Sequence, residues 1–152
     1  MKDFTELRIL NAVHEVLTGR VNELIRDSHY NIPIIEFGHY IGRESISPVI
    51  TLSSCEQTEK ERIVRLESYA LTITFVLPEM QEGEIYCYAY AGAIGRAIYD
   101  DPTLGGVANW AGMTGKKFRE PKNIHCGEGW EVIVSVRIIL EEVCLQTAVT
   151  AR

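Results

Sequence analysis

The strongest constraint on the fold lies near the end of the chain, in GWEVIVSVRIILEE from Gly129 to Glu142. Trp130, Val132, Val134, Val136, Ile138 and Leu140 share one parity, and Glu131, Ile133, Ser135, Arg137, Ile139 and Glu141 share the other. A period of two is that of a strand. A strand of this length with an unbroken apolar face needs neighbours on both sides and a covering layer on one face, so it is expected to be central and half covered. A second alternation sets Tyr69, Leu71, Ile73, Phe75 and Leu77 against Ala70, Thr72, Thr74 and Val76. It predicts a strand over Arg65 to Leu77, ended by Pro78. Val64 and Leu66 fall on the opposite parity, which predicts a bulge near Glu67 and Ser68 or an upstream part that leaves the sheet.

The covering layer must come from helices, and two patterns supply it. From Asp3 to Arg26, Leu7, Leu10, Val13, Leu17, Val21 and Leu24 recur every three or four residues, with Asp3 as cap and Gly19 as a point of bending or division. From Glu84 to about Tyr99, Ile85, Tyr88, Ala89, Gly92, Ile94, Gly95 and Ile98 predict a helix side that lies close on a sheet. The acidic run Glu79 to Glu84 precedes that helix and matches the positive end of its dipole. Tyr86, Tyr88, Tyr90 and Tyr99 are expected to pack with their hydroxyls reaching water, and Cys87 to be a small buried or half-buried residue. Asp100, Asp101 and Pro102 stop the helix, Gly105 and Gly106 turn the chain, and Val107 to Phe118 reads as a glycine-interrupted strand.

Shorter strands are expected at Ile34 to Phe37 and in VITL after Pro48. The polar run SSCEQTEKER, Ser53 to Arg62, has the composition of a projecting loop or hairpin tip. Arg119 to Glu128 reads as a turn region, and Gln146 to Arg152 lacks a pattern and suits a tail that orders against a neighbour. The sum is one α+β domain: a largely antiparallel sheet with an N-terminal helix and a second, central helix on one face.

At 152 residues, with 46% hydrophobic and 24% charged residues, the chain can bury a core without a covalent staple. Its formal charge of -6 repels polyanions, so sequence-specific nucleic-acid binding is not expected, although a conduit that must not grip phosphates is compatible with it. No apolar run approaches the ~20 residues that span a bilayer, so no membrane partner is expected. Cys55, Cys87, Cys126 and Cys144 form no C-x-x-C pair. They read as free thiols in a reduced cytoplasm.

GMTGKK, Gly112 to Lys117, has the glycines and lysine of a phosphate loop. Trp110 stands where that motif needs its first glycine, and Lys117 where it needs Ser or Thr. His125 beside Cys126 raises a cysteine hydrolase using His125 or His39, against which stands a plain structural turn. His14, His29, His39 and His125 show no metal spacing, and Asp100-Asp101 is better read as a helix stop than as an acid–base pair. No cofactor is expected and the chain is not read as an enzyme. A monomeric ligand-binding domain with a pocket beneath the Tyr-rich helix is a further reading.

The N-terminal helix, the segment AIGRAIYDDPTLGGVANWAGMTG and the closing GWEVIVSVRIILEE together resemble the tail terminator, or tail completion, proteins of long-tailed bacteriophages and prophages. Members of that family show a similar helix, an Asp-x-Thr-Leu-Gly-Gly-like turn and a glycine-led final strand. The resemblance covers roughly half of the chain and includes neither Ser53 to Arg62 nor the residues after Cys144. It implies a homohexameric ring at the head-proximal end of the virion tail, assembled in the bacterial host cytoplasm. Such a ring stops the tube of major tail protein and offers a surface to the head–tail connector. The expected assembly surfaces are Glu56, Gln57, Glu59, Lys60 and Arg62 on the projection, the exposed sheet edge, and Asp100, Asp101 and Thr103 at the turn.

Overall fold

The computed structural model describes residues 4–28, 31–37, 45–78, 82–121 and 128–143. The elements in chain order are α1 (Thr5–Val16), a π-helical turn (Leu17–Val21), α2 (Asn22–Asp27), β1 (Ile34–Ile35), β2 (Ser45–Ile46), β3 (Val49–Glu61), β4 (Val64–Pro78), α3 (Gly83–Asp100), β5 (Trp110–Arg119) and β6 (Glu128–Val143). β3, β4, β6 and β5 form one antiparallel sheet in that spatial order, and β1 and β2 make a small parallel pair. The fold is α+β, with the helices against one face of the four-stranded sheet, and β6 is an interior strand as its length required.

Alternation built the sheet. On β4, Tyr69, Leu71, Ile73, Phe75 and Leu77 are buried, and on β6 so are Val132, Val134, Val136 and Ile138. The expected bulge at Glu67 and Ser68 is absent from β4, whose pairing with β6 runs without a shift from Val64 to Val76. Glu67 keeps the inward parity, so the sequence pattern broke in chemistry and not in geometry. The irregularities lie on the partner strand instead, between Leu52 and Ser54 and between Glu59 and Glu61 of β3. Gly129 opens the described part of the β6 side-chain ladder for a steric reason: a Cβ there would lie 2.4 Å from the Leu77 carbonyl oxygen.

The N-terminal helix divides at Gly19, inside a π turn. Its buried stripe is Ile9, Val13, Leu17, Val21 and Ile25, with Ala12 beside it. A spacing of four outruns the ~3.6 residues of an α turn and drifts by roughly 40° per step. The wider π turn at mid-helix brings the stripe back toward the sheet. Leu7 is exposed, and Leu10 and Leu24 are partly buried, so the real stripe sits beside the expected one. Phe4 occupies the cap position without a side-chain cap bond, and Asp3 lies outside the described residues.

α3 also turns a different side to the sheet. Cys87, Tyr90, Ala91, Ile94, Ala97 and Ile98 are buried, whereas Ile85, Tyr88 and Gly92 face outward. Tyr90 is fully buried, contrary to the expectation of a wetted hydroxyl; it donates to the Pro33 carbonyl and meets Phe75 edge-on at 5.1 Å. Asn22, 2% exposed, accepts from the Ile35 amide and donates to the Ile35 carbonyl, both at 2.7 Å. This clamp ties β1 to α2, and β1 is two residues long where four were expected. His14 stacks flat on Phe37 at 4.1 Å, a packing role.

Candidate assembly surfaces

Of the two forms expected for Ser53 to Arg62, a projecting loop or a hairpin, the chain takes the hairpin. Through Glu61 the run is the outer half of β3, in register with β4 except at Ser53 and Lys60, where the register shifts, and the hairpin turns at Arg62 and Ile63. Strand alternation therefore sorts the expected contact residues. Gln57 stands opposite Glu67 on the helix side, Glu59 opposite Arg65 on that same side, and Glu56 opposite Ser68 on the helix-free side. Gln57 Nε2 donates to Glu67 Oε2 at 3.2 Å, and Lys60 Nζ pairs with Glu141 of β6. Glu56, Glu59 and Arg62 are exposed.

Beneath this hairpin lies a polar cluster that sequence reading missed. Glu67, 8% exposed, accepts from Gln57, from Tyr69 Oη at 3.1 Å and from Cys55 Sγ at 3.6 Å. Tyr69 Oη also lies 2.6 Å from Glu6 Oε2 of α1. Burial pushes the Tyr69 hydroxyl far up, and its bond to Glu6 adds to this, so it remains a donor. Burial also acts to raise the Glu67 carboxyl, but the hydrogen bonds from Gln57, Glu142, Tyr69 and Cys55 outweigh it and hold it below the usual range. Glu142, bonded to Glu67 and facing its charge, is raised in turn. The available signal was a carboxylate on the parity of an otherwise apolar face.

The corner after α3 is the second expected surface, and most of its polar groups hold the turn itself. Asp101 accepts from Thr103 Oγ1 at 2.9 Å and from the Gly105 amide at 2.8 Å, and the Gly106 amide reaches Thr103 Oγ1 at 3.2 Å. Leu104, Gly105 and Gly106 have φ of 51°, 72° and 91°. Three successive left-handed residues require this bracing, and the two glycines make it tolerable. Leu104 is nonetheless buried, pinned into the core as the chain turns. Asp100 accepts from Arg96 Nε at 3.0 Å and Arg20 Nη2 at 3.1 Å, tying α3 to the π turn. Those bonds, Arg96 first, lower its carboxyl pKa.

The two surfaces meet at one strand. Glu141 pairs through its side chain with Lys60, and its amide donates to Asn109 Oδ1 at 2.8 Å, three residues past Gly106. The hairpin turn and the corner thus stand at the same end of the sheet. Gly112 to Lys117, the glycine-lysine segment, is extended β5 and not a phosphate loop. Next to the corner, Gly95, Ile98, Tyr99, Pro102, Trp110 and Gly112 line an open groove of about 410 Å³. The space beneath α3 measures about 10 Å³ with wholly apolar walls, room for about one water and not for a small-molecule ligand.

Among the described residues no His, Cys, Asp and Glu group could hold a metal ion, and no helix is long and apolar enough to cross a membrane. Of the cysteines, Cys55 is exposed and Cys87 buried. Burial raises both thiols, that of Cys87 to about 11, the opposite of what a thiolate nucleophile needs. Cys126, His125, His39, His29, Cys144 and the residues 146–152 lie outside the described residues. No protein-family model matches the chain, and no curated protein matches it.

Proposed function

We propose that the protein is a structural assembly subunit of the tail-terminator type. It forms a hexameric ring that caps the tail tube, stops its polymerisation and joins it to the head–tail connector. It would assemble in the bacterial host cytoplasm and remain at the head-proximal end of the virion tail. The observation that supports this most is the sheet itself: among the described residues β3 pairs with β4 alone and β5 with β6 alone, leaving two long edges on one subunit. Unpaired strand edges are templates for another chain, and two different edges on one subunit suit head-to-tail contact. The corner Asp-Asp-Pro-Thr-Leu-Gly-Gly, within one of the three segments that carry the resemblance, is a turn braced by its own Asp101 and Thr103 side chains.

The deciding experiment polymerises major tail protein with and without this chain and measures tube lengths by electron microscopy. Capping shortens tubes and places added density at one end. Unchanged lengths with no end density would remove the reading.

The groove at Tyr99 and Trp110 supports a second reading, a monomer that binds a ligand with an apolar face. Tyr99 is 82% and Trp110 46% exposed, unusual for side chains of that size. Ligand binding there would quench or shift Trp110 fluorescence in a protein that stays monomeric.

A further inference from the structure

We infer that copies of this chain join edge to edge, the acidic outer half of β3 in one copy pairing antiparallel with the basic end of β5 in the next. This rests on the ring reading and specifies its contact. Strand direction permits it. The sheet has four antiparallel strands, so β3 and β5, at its two edges, run in opposite directions. A neighbour rotated about an axis near the strand direction, and not turned over, presents its β3 antiparallel to the first copy's β5. The joined sheet then stays antiparallel throughout.

Charge selects which edges meet. β3 carries exposed Glu56 and Glu59, and its Lys60 is already paired with Glu141. β5 carries exposed Lys116 and Lys117, in no ion pair among the described residues, and Arg119, which pairs with Glu131 at 3.4 Å. A two-fold contact of β3 with β3, or β5 with β5, would set like charges together, which is unfavourable across strands. A β3-to-β5 contact sets opposite charges together.

The faces fix a register. Glu56 and Lys117 both point to the helix-free side, since they stand opposite Ser68 and Ile133. Placing these two opposite each other sets Gln57 against Lys116, both on the helix side, with Glu59 diagonal to Lys116. Through Ser68, Glu56 lies level with Ile139, whereas Lys117 lies level with Ile133, six residues away along β6. Neighbours are therefore staggered by about 20 Å, at ~3.3 Å per residue. Four strands are about 19 Å wide at ~4.8 Å spacing, so the stagger tilts strands by roughly 45°, at the upper end of the range in which sheets close into barrels. The contact favours a closed ring over a flat ribbon.

The test is charge exchange, read by sedimentation velocity over a concentration series at low and high salt. Wild-type protein associates at low salt and less at high salt, because exposed pairs are screened. E56K/E59K and K116E/K117E each self-associate about tenfold more weakly or worse, since each leaves two edges of like sign. Their equimolar mixture recovers association, and so does the chain carrying all four substitutions, which also shows that the variants fold. Amide exchange slows on association at residues 54–60 and 113–119. A wild type that stays one monomeric species at every concentration overturns the inference, and so do double variants that associate as wild type or a mixture that fails to recover. Tube length is scored separately. Edge-mediated association without capping removes the terminator reading and keeps the edge contact, whereas full capping by E56K/E59K removes the edge contact and keeps the reading.

Discussion

The β3–β4–β6 sheet has two halves with the same ladder and different interiors. From Tyr69 to Leu77 the inward positions of β4 are at most 3% exposed, and α1, the π turn and α3 pack over that side of the sheet. Two residues before Tyr69 on β4, the inward position belongs to Glu67, and the side chains around it are Gln57, Cys55 and Glu142, with Glu6 reaching Tyr69 from α1. Pairing continues to Val64 and Val143 regardless. Backbone hydrogen bonding thus decides how far the sheet extends, and side-chain chemistry decides how far the core does. The polar half is where an edge can stay open in water without exposing apolar surface.

The apolar half should be far more sensitive to substitution than the polar half. Ile73→Ala, at 1% exposure, should cost about 3–4 kcal/mol in urea unfolding, through lost burial and an unfilled cavity. Thr58→Ala on the hairpin should stay within about 0.5 kcal/mol. A smaller Ile73→Ala effect than that of any hairpin substitution would show that the sheet is not anchored where the helices cover it.

The corner anchors the helix layer to the apolar half, and Gly105→Val with Gly106→Val tests it. No atom lies within 4 Å of a Cβ at either position, so the cost is conformational. It should be about 2–4 kcal/mol for the pair. Thermal unfolding measures it, and a double variant with wild-type stability would mean that the turn can relax without moving Leu104.

At the boundary between the halves, Tyr69→Phe keeps the ring in the core and removes the donor shared by Glu6 and Glu67. It should cost about 1–2 kcal/mol, less than a core truncation, by chemical denaturation.

The smallest effect is in pH. Glu142, raised by its bond to Glu67 and by the Glu67 charge, contributes stability that is fully present below the ordinary glutamate range and lost as pH rises through its folded pKa. Glu67, lowered, contributes stability present above that range and lost as pH falls through its folded pKa. The pair is best matched near the ordinary glutamate range, with Glu142 holding the proton, and weakens toward neutrality. Glu142→Gln keeps a donor and removes the charge, so it should flatten the change in unfolding midpoint between about pH 5 and pH 7. Solvent screening limits the gain at neutral pH to a few tenths of a kcal/mol. An unchanged slope would detach Glu142 from the cluster.

Much of the fold was written in local patterns. The parity of β4 and β6, the strand end at Pro78, the division at Gly19 and the Asp-Asp-Pro stop each follow from backbone sterics or a two- or four-residue period, which neighbours along the chain suffice to set. The corner residues Asp101 and Thr103 were likewise visible, though as contact candidates and not as the braces of their own turn. Three features came only with tertiary structure. α3 is apolar on several sides, so its buried face was chosen by the sheet it meets. Ser53 to Glu61 has loop composition and became a strand because β4 offered it a ladder. Glu67 and Asn22 were ordinary polar residues until groups on other elements, Gln57 and the Ile35 backbone, satisfied them in the interior. A buried polar group is tolerated only with its partners in place, and those partners are far away in the sequence.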